Sequence, residues 1–178
     1  MTRPIINVAD APVYLGASGE RFEFSMASLA STAGARAIGA NVTRVPPGKA
    51  AFPMHHHRGS EEHFFILSGT GVLRVGADTH PVRPQDYIVN LPGGPETAHQ
   101  LVNTGDEDLV YLAISTLHLP EVVGYPESGK TGVRIGMGEG PEERFLLRDG
   151  DRDVVGYWDG EDGTDVERIL DEARQENR

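Results

Sequence analysis

Residues 55–63 read HHHRGSEEH, four histidines and two glutamates in nine positions, just ahead of the apolar run FFIL. Imidazole nitrogens and carboxylate oxygens are donors that transition-metal ions take. Read as one strand, Ala51 to His57 alternates faces, so His55 and His57 point one way and His56 the other. Two imidazoles two residues apart on one face can share an ion, at bonds of roughly 2.0–2.1 Å. Arg58-Gly59-Ser60 reads as a turn. The next strand then opens with a carboxylate, Glu61 or Glu62, which face opposite ways. A further histidine, His99, lies in the later run TAHQLV. Three histidines and one carboxylate make a mixed nitrogen and oxygen shell that suits Mn, Fe(II), Co, Ni, Cu or Zn.

Such residues need a scaffold that brings distant strands together. From Ala37 to Thr116 strand-like runs alternate with turn signals: AIGANVTRV, then PPG; AAFPMHHH, then RGS; EEHFFIL, then SGTG; VLRV, then GAD; THPV, then RPQD; YIVNL, then PGGPE; TAHQLV, then NTGDED; and LVYLAISTL. Short strands at this spacing, with no helical periodicity, predict an all-β sandwich or barrel and argue against a parallel α/β sheet. Ahead of them, Pro12–Leu15 and Arg21–Ser25 read as short strand-like pieces. After Leu119 the chain reads as loop-rich, with two later strands in RFLLR and DVVGYW. The end, TDVERILDEARQENR, predicts one short helix: Thr164 and Glu167 fit a capping box, and Val166, Ile169, Leu170 and Ala173 share a face. The expectation is a single domain over 1–178, with a barrel core at about 37–117, an N-terminal extension and a C-terminal extension at about 118–178.

Composition narrows the function. The chain of 178 residues has a formal net charge of −11, which a nucleic-acid duplex or an anionic membrane would repel. It has no cysteine, so disulfides and thiolate metal sites are excluded. The first residues, MTRPIINVADAPVYLG, show no signal-peptide pattern, and no stretch approaches a membrane span. The expectation is a soluble cytoplasmic protein whose partner is a small molecule.

Two groups of residues resemble the motifs of the cupin superfamily. The first motif, G-x5-HxH-x3–4-E-x6-G, is matched by Gly48, His55-x-His57, Glu62 and Gly69, with six residues rather than five before His55. The second, G-x5-PxG-x2-H-x3-N, is matched by Pro92-x-Gly94, His99 and Asn103. Gln85 stands where its first glycine is usual, one residue is added before Pro92, and four residues rather than two separate Gly94 from His99. The motifs cover roughly residues 45–116. The wider stretches PPGKAAFPMHHHRGSEEHFFILSGTG and LPGGPETAHQLVNTGDEDLVYLAISTLHLPEVVGYPESGK, with the late YWDGE, look like a group of bacterial cupins without an assigned reaction.

The resemblance implies a double-stranded β-helix, the jelly-roll cupin barrel, with one divalent transition metal ion (Fe, Mn, Ni or Zn) held inside by His55, His57, Glu62 and His99. It selects Glu62 over Glu61 and leaves about two coordination positions open. It implies a metal-dependent enzyme on a small organic molecule, of dioxygenase, isomerase, decarboxylase or lyase type. The alternative is a non-catalytic module that binds or senses a sugar or an organic acid. It also implies a homodimer.

Parity adds detail. If Glu62 faces inward, so do Phe64 and Ile66; if His99 does, so do Leu101 and Asn103. His56 and His63 are expected to face outward, in structural or solvent-exposed roles, and His80 and His118 to be surface residues. Glu61 is expected on the strand surface and Asn103 as a turn or hydrogen-bond former. Arg74, Tyr87 and Tyr111 are polar residues that could line the pocket; no general base is identified.

Overall fold

The computed structural model describes residues 4–136 and 144–148. Thirteen strands lie within them, in two layers. Their β-branched and aromatic residues alternate with polar ones, and tight turns connect most of them.

The first sheet has six strands in the order β1-β2-β3-β10-β5-β8, every neighbouring pair antiparallel. These are β1 (Val13–Ser18), β2 (Phe22–Ser28), β3 (Ile38–Val45), β5 (Glu62–Ser68), β8 (Tyr87–Asn90) and β10 (Leu109–Thr116). The opposite layer has two parts. One runs β7 (Asp78–Val82), β6 (Gly71–Val75), β9 (His99–Val102). The other runs β4 (His56–His57), β11 (Glu121–Tyr125), β12 (Lys130–Arg134), β13 (Arg144–Arg148). An antiparallel bridge between His55 and His99 joins the two parts, through His99 N–H to His55 O at 2.8 Å and His55 N–H to His99 O at 3.2 Å. The result is an all-β double-sheet barrel of jelly-roll type.

The inward faces make the core. Val45, Phe64, Ile66, Leu73, Ile88, Leu101, Leu109, Tyr111 and Ala113 pack together from both layers. Phe64, Ile66, Leu101 and Asn103 are all buried, as parity predicts. At the far end of the barrel Asn103 is fully buried. Its Nδ2 donates to Val45 O and Glu107 O, both at 2.8 Å, and its Oδ1 accepts from Gly105 N–H at 2.9 Å. It is a turn former, in the expected role.

Several expectations need correction. Ala51–His57 is not one strand: only His56–His57 pairs as a strand, and Ala51–Met54 is irregular, interrupted by Pro53, which has no N–H to donate. The bridge at His55 nevertheless preserves the alternation of the triplet. The stretch after Leu119 is not loop but a hairpin of β11 and β12, whose turn closes through Ser128 N–H to Tyr125 O at 3.2 Å. RFLLR is the expected strand, β13. The predicted C-terminal helix and the strand in DVVGYW lie outside the described residues. Tyr87 is exposed and Arg74 points outward to Gln100 and Glu127; of the three proposed pocket polar residues only Tyr111 is inside.

The departures from motif spacing are accommodated locally. Gln85 takes the position of a usual glycine by adopting φ +77°, a left-handed conformation. The long stretch from Gly94 to His99 folds into a 3₁₀ turn over Pro95–Thr97. Gly94 N–H donates to Glu96 Oε1 at 2.9 Å and Thr97 Oγ1 donates to Gly94 O at 3.0 Å. Gly93 N–H donates to His57 O at 2.8 Å, tying this loop to the first histidine strand.

Candidate metal centre

His55, His57 and His99 stand on the second layer and Glu62 on the first, so the four meet across the barrel interior. Each offers one ligand atom such that all four atoms lie within 4.8 Å of one another, a grouping able to hold a metal ion. His99 Nε2 is 3.0 Å and His57 Nε2 3.9 Å from Glu62 Oε2. The ring centroids of His55 lie 4.7 Å from His99 and 5.1 Å from His57. Glu61 is not in the group. It points to the outer face and accepts from His63 Nε2 at 2.7 Å, while Tyr87 Oη lies 2.8 Å from His63 Nδ1.

The remaining ring nitrogens fix orientation. His55 Nδ1–H donates to Pro53 O at 2.8 Å, which leaves Nε2 with its lone pair toward the group. His99 Nδ1 lies 3.3 Å from Thr97 O, so the inserted turn itself orients this histidine. His57 is different: both of its ring nitrogens are buried and neither has a hydrogen-bond partner. An imidazole buried with both nitrogens unsatisfied is costly unless something takes the lone pair, and a metal ion is such a partner. The residues present therefore fit the ion.

The electrostatics agree with neutral imidazoles at His55 and His57 facing a carboxylate. Burial, reinforced by the neighbouring histidines, lowers the pKa of His55 to about 4. Burial also lowers that of His57. Burial alone would raise Glu62, but the hydrogen bond from His99 and the three histidines around it leave its pKa below the ordinary value. A neutral imidazole and an ionised carboxylate are the forms of these side chains that bind a cation.

Around the four stand residues that the sequence reading missed. Glu121, at the start of β11, is buried. Its Oε1 accepts from Arg58 N–H and Gly59 N–H, both at 3.0 Å. Tyr125 stacks on His55, centroids 6.2 Å apart. Asn90, at the end of β8, is buried opposite Glu62. The signal for Glu121 and Tyr125 was the turn sequence PESG between the β-rich runs EVVGY and KTGVRI. Asn90 follows from parity with Ile88.

Below the cluster, Phe52, Phe64, Leu101 and Tyr111 close the interior. Burial pushes the Tyr111 phenol up, so it stays protonated. His56 faces away from the cluster, as alternation requires, but it is not at the surface. It is 5% exposed, and its ring lies so close to Gly124 that any side chain there would collide with it.

Fold and cluster define a small double-sheet β-barrel with an interior three-histidine, one-glutamate group able to hold a metal ion. The sequence matches the Cupin domain family model over residues 41–115. It is 32% identical over 74 residues to the oxalate-binding protein of Thermotoga maritima, covering 42% of this chain and 58% of that protein. The chain thus spans under two thirds of that relative's length. Its fold is similar to that of a candidate sugar phosphate isomerase from Acidithiobacillus ferrooxidans, with TM-score 0.65 and 30% identity over 75% of this chain and 81% of that one. It is also similar to a cupin-superfamily sugar phosphate isomerase from Silicibacter pomeroyi, with TM-score 0.73 and 20% identity over 86% of this chain and 98% of that one; at this identity the likeness concerns the fold alone. The chain belongs to the cupin superfamily. Among the described residues no helix is long and apolar enough to cross a membrane.

Proposed function

We propose that the protein is a metal-dependent enzyme acting on a small organic molecule, with His55, His57, Glu62 and His99 as the ligands of one divalent transition metal ion. The observation that carries this reading is His57, whose two ring nitrogens are buried and unpartnered beside the Glu62 carboxylate. When bound, the ion would act as a Lewis acid toward a coordinated oxygen of the substrate. The chain's own residues do the rest. His55 and His99 are held by backbone carbonyls in fixed orientations. Phe52, Phe64 and Tyr111 exclude water from beneath the group. Four protein ligands leave about two positions of an octahedral ion for substrate, which favours a small chelating molecule over a polymer.

The test is the metal content of untagged protein purified without added metal, beside His57→Ala. About one equivalent in the wild type, lost in the variant, is the expected result, followed by turnover of a member of an organic-acid or sugar panel. A wild type that neither carries nor takes up metal overturns the assignment. A second reading is a binding module that returns its ligand unchanged. What favours it is the likeness to an oxalate-binding protein, and recovery of unaltered ligand after long incubation with metal-loaded protein would select it.

A homodimer is part of the proposal. Its support is the outer face of the six-stranded sheet. Besides His63, the six strands carry only Glu23, Arg44 and Glu62 as acidic or basic residues, and Glu62 faces inward. Val13, Leu15, Ile38, Leu67, Tyr87 and Val89 are exposed on that face. On a chain of net charge −11, it is where two copies meet with the least repulsion. Light scattering should give twice the chain mass, and Val89→Asp should give the chain mass.

A further inference from the structure

The sheet formed by β4, β11 and β12 has two faces. His57 sets one of them against the four-residue group, and His56 stands on the other. On the His56 face lies a cavity of about 340 Å3, whose lining includes His56, Arg58, Gly124, Tyr125, Lys130 and Thr131. Strand pairing brings these residues together. Gly124 pairs with His56 on one side and with Thr131 on the other. Arg58 continues the ladder through its N–H, which donates to Val122 O at 2.9 Å. Gly124 has no side chain, so bare backbone separates His56 from Thr131 across the sheet.

The charge of this cavity runs against that of the chain, which carries 27 acidic and 16 basic residues. Among the described residues no acidic side chain lines it, while two cations do, Arg58 and Lys130. Neither has a carboxylate within ion-pair distance among the described residues, whereas Arg44, Lys49 and Arg74 each have one. Glu96, whose charge reaches Arg58, is outside the lining, and its Oε1 accepts Gly94 N–H at 2.9 Å. Lys130 Nζ stands 5.4 Å from the centroid of the Tyr125 ring, on the same cavity.

We propose that this cavity binds the phosphoryl group of a small phosphate monoester, at a site separate from the candidate metal centre and independent of the metal reading. A phosphate monoester carries a charge of about −1.5 to −2 at pH 7, which two cations match and a single carboxylate does not. The guanidinium of Arg58 can take two phosphate oxygens at once, and Lys130 adds a compact positive charge. The volume lies at the small end of the roughly 300–1,000 Å3 of small-molecule sites, so it suits a small metabolite. Tyr125 and Pro126 give the organic part an apolar wall. A polyanion such as nucleic acid would meet the repulsion of a chain with net charge −11.

Glycerol phosphate is the probe, with glycerol as its uncharged control. Full-length protein as purified is titrated calorimetrically with each, in the wild type, Arg58→Gln, Lys130→Gln, Arg44→Gln and His57→Ala. The wild type is expected to bind glycerol phosphate saturably and glycerol not at all. Arg58→Gln and Lys130→Gln should each weaken binding about tenfold. Arg44→Gln removes the same charge from the six-stranded sheet, and His57→Ala removes a candidate metal ligand; both should bind within about twofold of the wild type. Lys130→Gln, distant in sequence from His57, decides the matter if Arg58→Gln disturbs the neighbouring histidine. A wild type that shows no saturable binding overturns the proposal. So does equal weakening by Arg44→Gln, which marks a general effect of charge. Binding lost in folded His57→Ala but kept in Lys130→Gln overturns it too, because the phosphate then sits on the metal. A wild type that takes up no metal sinks the metal reading and leaves this test intact, since the proposed site uses none of the four clustered residues.

Discussion

Asn103 closes the end of the barrel opposite the candidate metal centre, and its removal should be felt in stability alone. Asn103→Ala deletes three hydrogen bonds: two from Nδ2 to Val45 O and Glu107 O at 2.8 Å, and one to Oδ1 from Gly105 N–H at 2.9 Å. The side chain is fully buried, so no solvent replaces them without disrupting the turn. At about 1 kcal/mol net for each bond, the loss is about 3 kcal/mol, and more if the backbone groups stay unsatisfied. For a chain of this size each kcal/mol shifts Tm by about 2–4 °C, so a fall of about 6–12 °C is expected by calorimetry. Asn103→Asp should do no better: it keeps the acceptor for Gly105 but sets a carboxylate against two carbonyl oxygens. Metal stoichiometry measured well below the lowered Tm should equal that of the wild type. A cost below about 1 kcal/mol refutes the hydrogen-bond accounting. A folded Asn103→Ala protein that has lost its metal refutes the separation of turn from ligands.

Three further outcomes are expected. Gln85→Gly relieves a left-handed residue at φ +77° and keeps its backbone bond to Ile66 O; a gain of about 1 kcal/mol in urea unfolding is expected, and a loss would contradict it. Gly69→Ala has no such freedom, because φ is +79° and the new Cβ would lie 2.4 Å from Asp108 O and 2.8 Å from Leu109 Cα; a penalty above about 3 kcal/mol is expected, read as a fall in Tm or loss of soluble protein. The metal-free protein should lose stability in acid. His55 has a folded pKa of about 4 against 6.5 in the unfolded chain, so the unfolded state takes the proton first. That contribution is fully present above pH 6.5 and is lost as pH falls toward 4, by up to about 3 kcal/mol, and His55→Gln should flatten this part of the pH profile.

The barrel core was legible because its strands carry period-2 patterning between strong turn signals, and the pattern fixes which face is buried. Phe64, Ile66, Leu101 and Asn103 were placed inside by parity alone, and all are inside. The β11–β12 hairpin was not legible. Its strands hold Gly124 and Gly132, residues that read as loop, and each has a structural occasion: Gly124 leaves room for the His56 ring, and Gly132 pairs with Val123 in the hairpin. Which of its two expected roles His56 would take, structural or solvent-exposed, was open for the same reason; it is buried. Alternation says that a side chain leaves one face; what covers the other face depends on a strand contributed 60-odd positions later in the sequence.

The four clustered residues were legible from the motif spacing, which selects Glu62 over Glu61, and from the alternation of the histidine triplet, which the bridge at His55 preserves. The groups around them were not, because they depend on which strands become neighbours. Asn90 is an ordinary strand end until β8 is placed beside β5, where it comes to face Glu62. Glu121 is an ordinary surface-type acid until β11 pairs with β4 and two backbone N–H groups of residues 58 and 59 fold over its carboxylate. The inserted residues between Gly94 and His99 show the same division. They alter the motif's spacing, yet they form a hydrogen-bonded turn that carries the Thr97 carbonyl to His99 Nδ1. The insertion thus supplies an orienting contact for His99 while keeping that histidine in the group. Spacing identifies residues able to gather round an ion; strand pairing decides which side chains stand beside them.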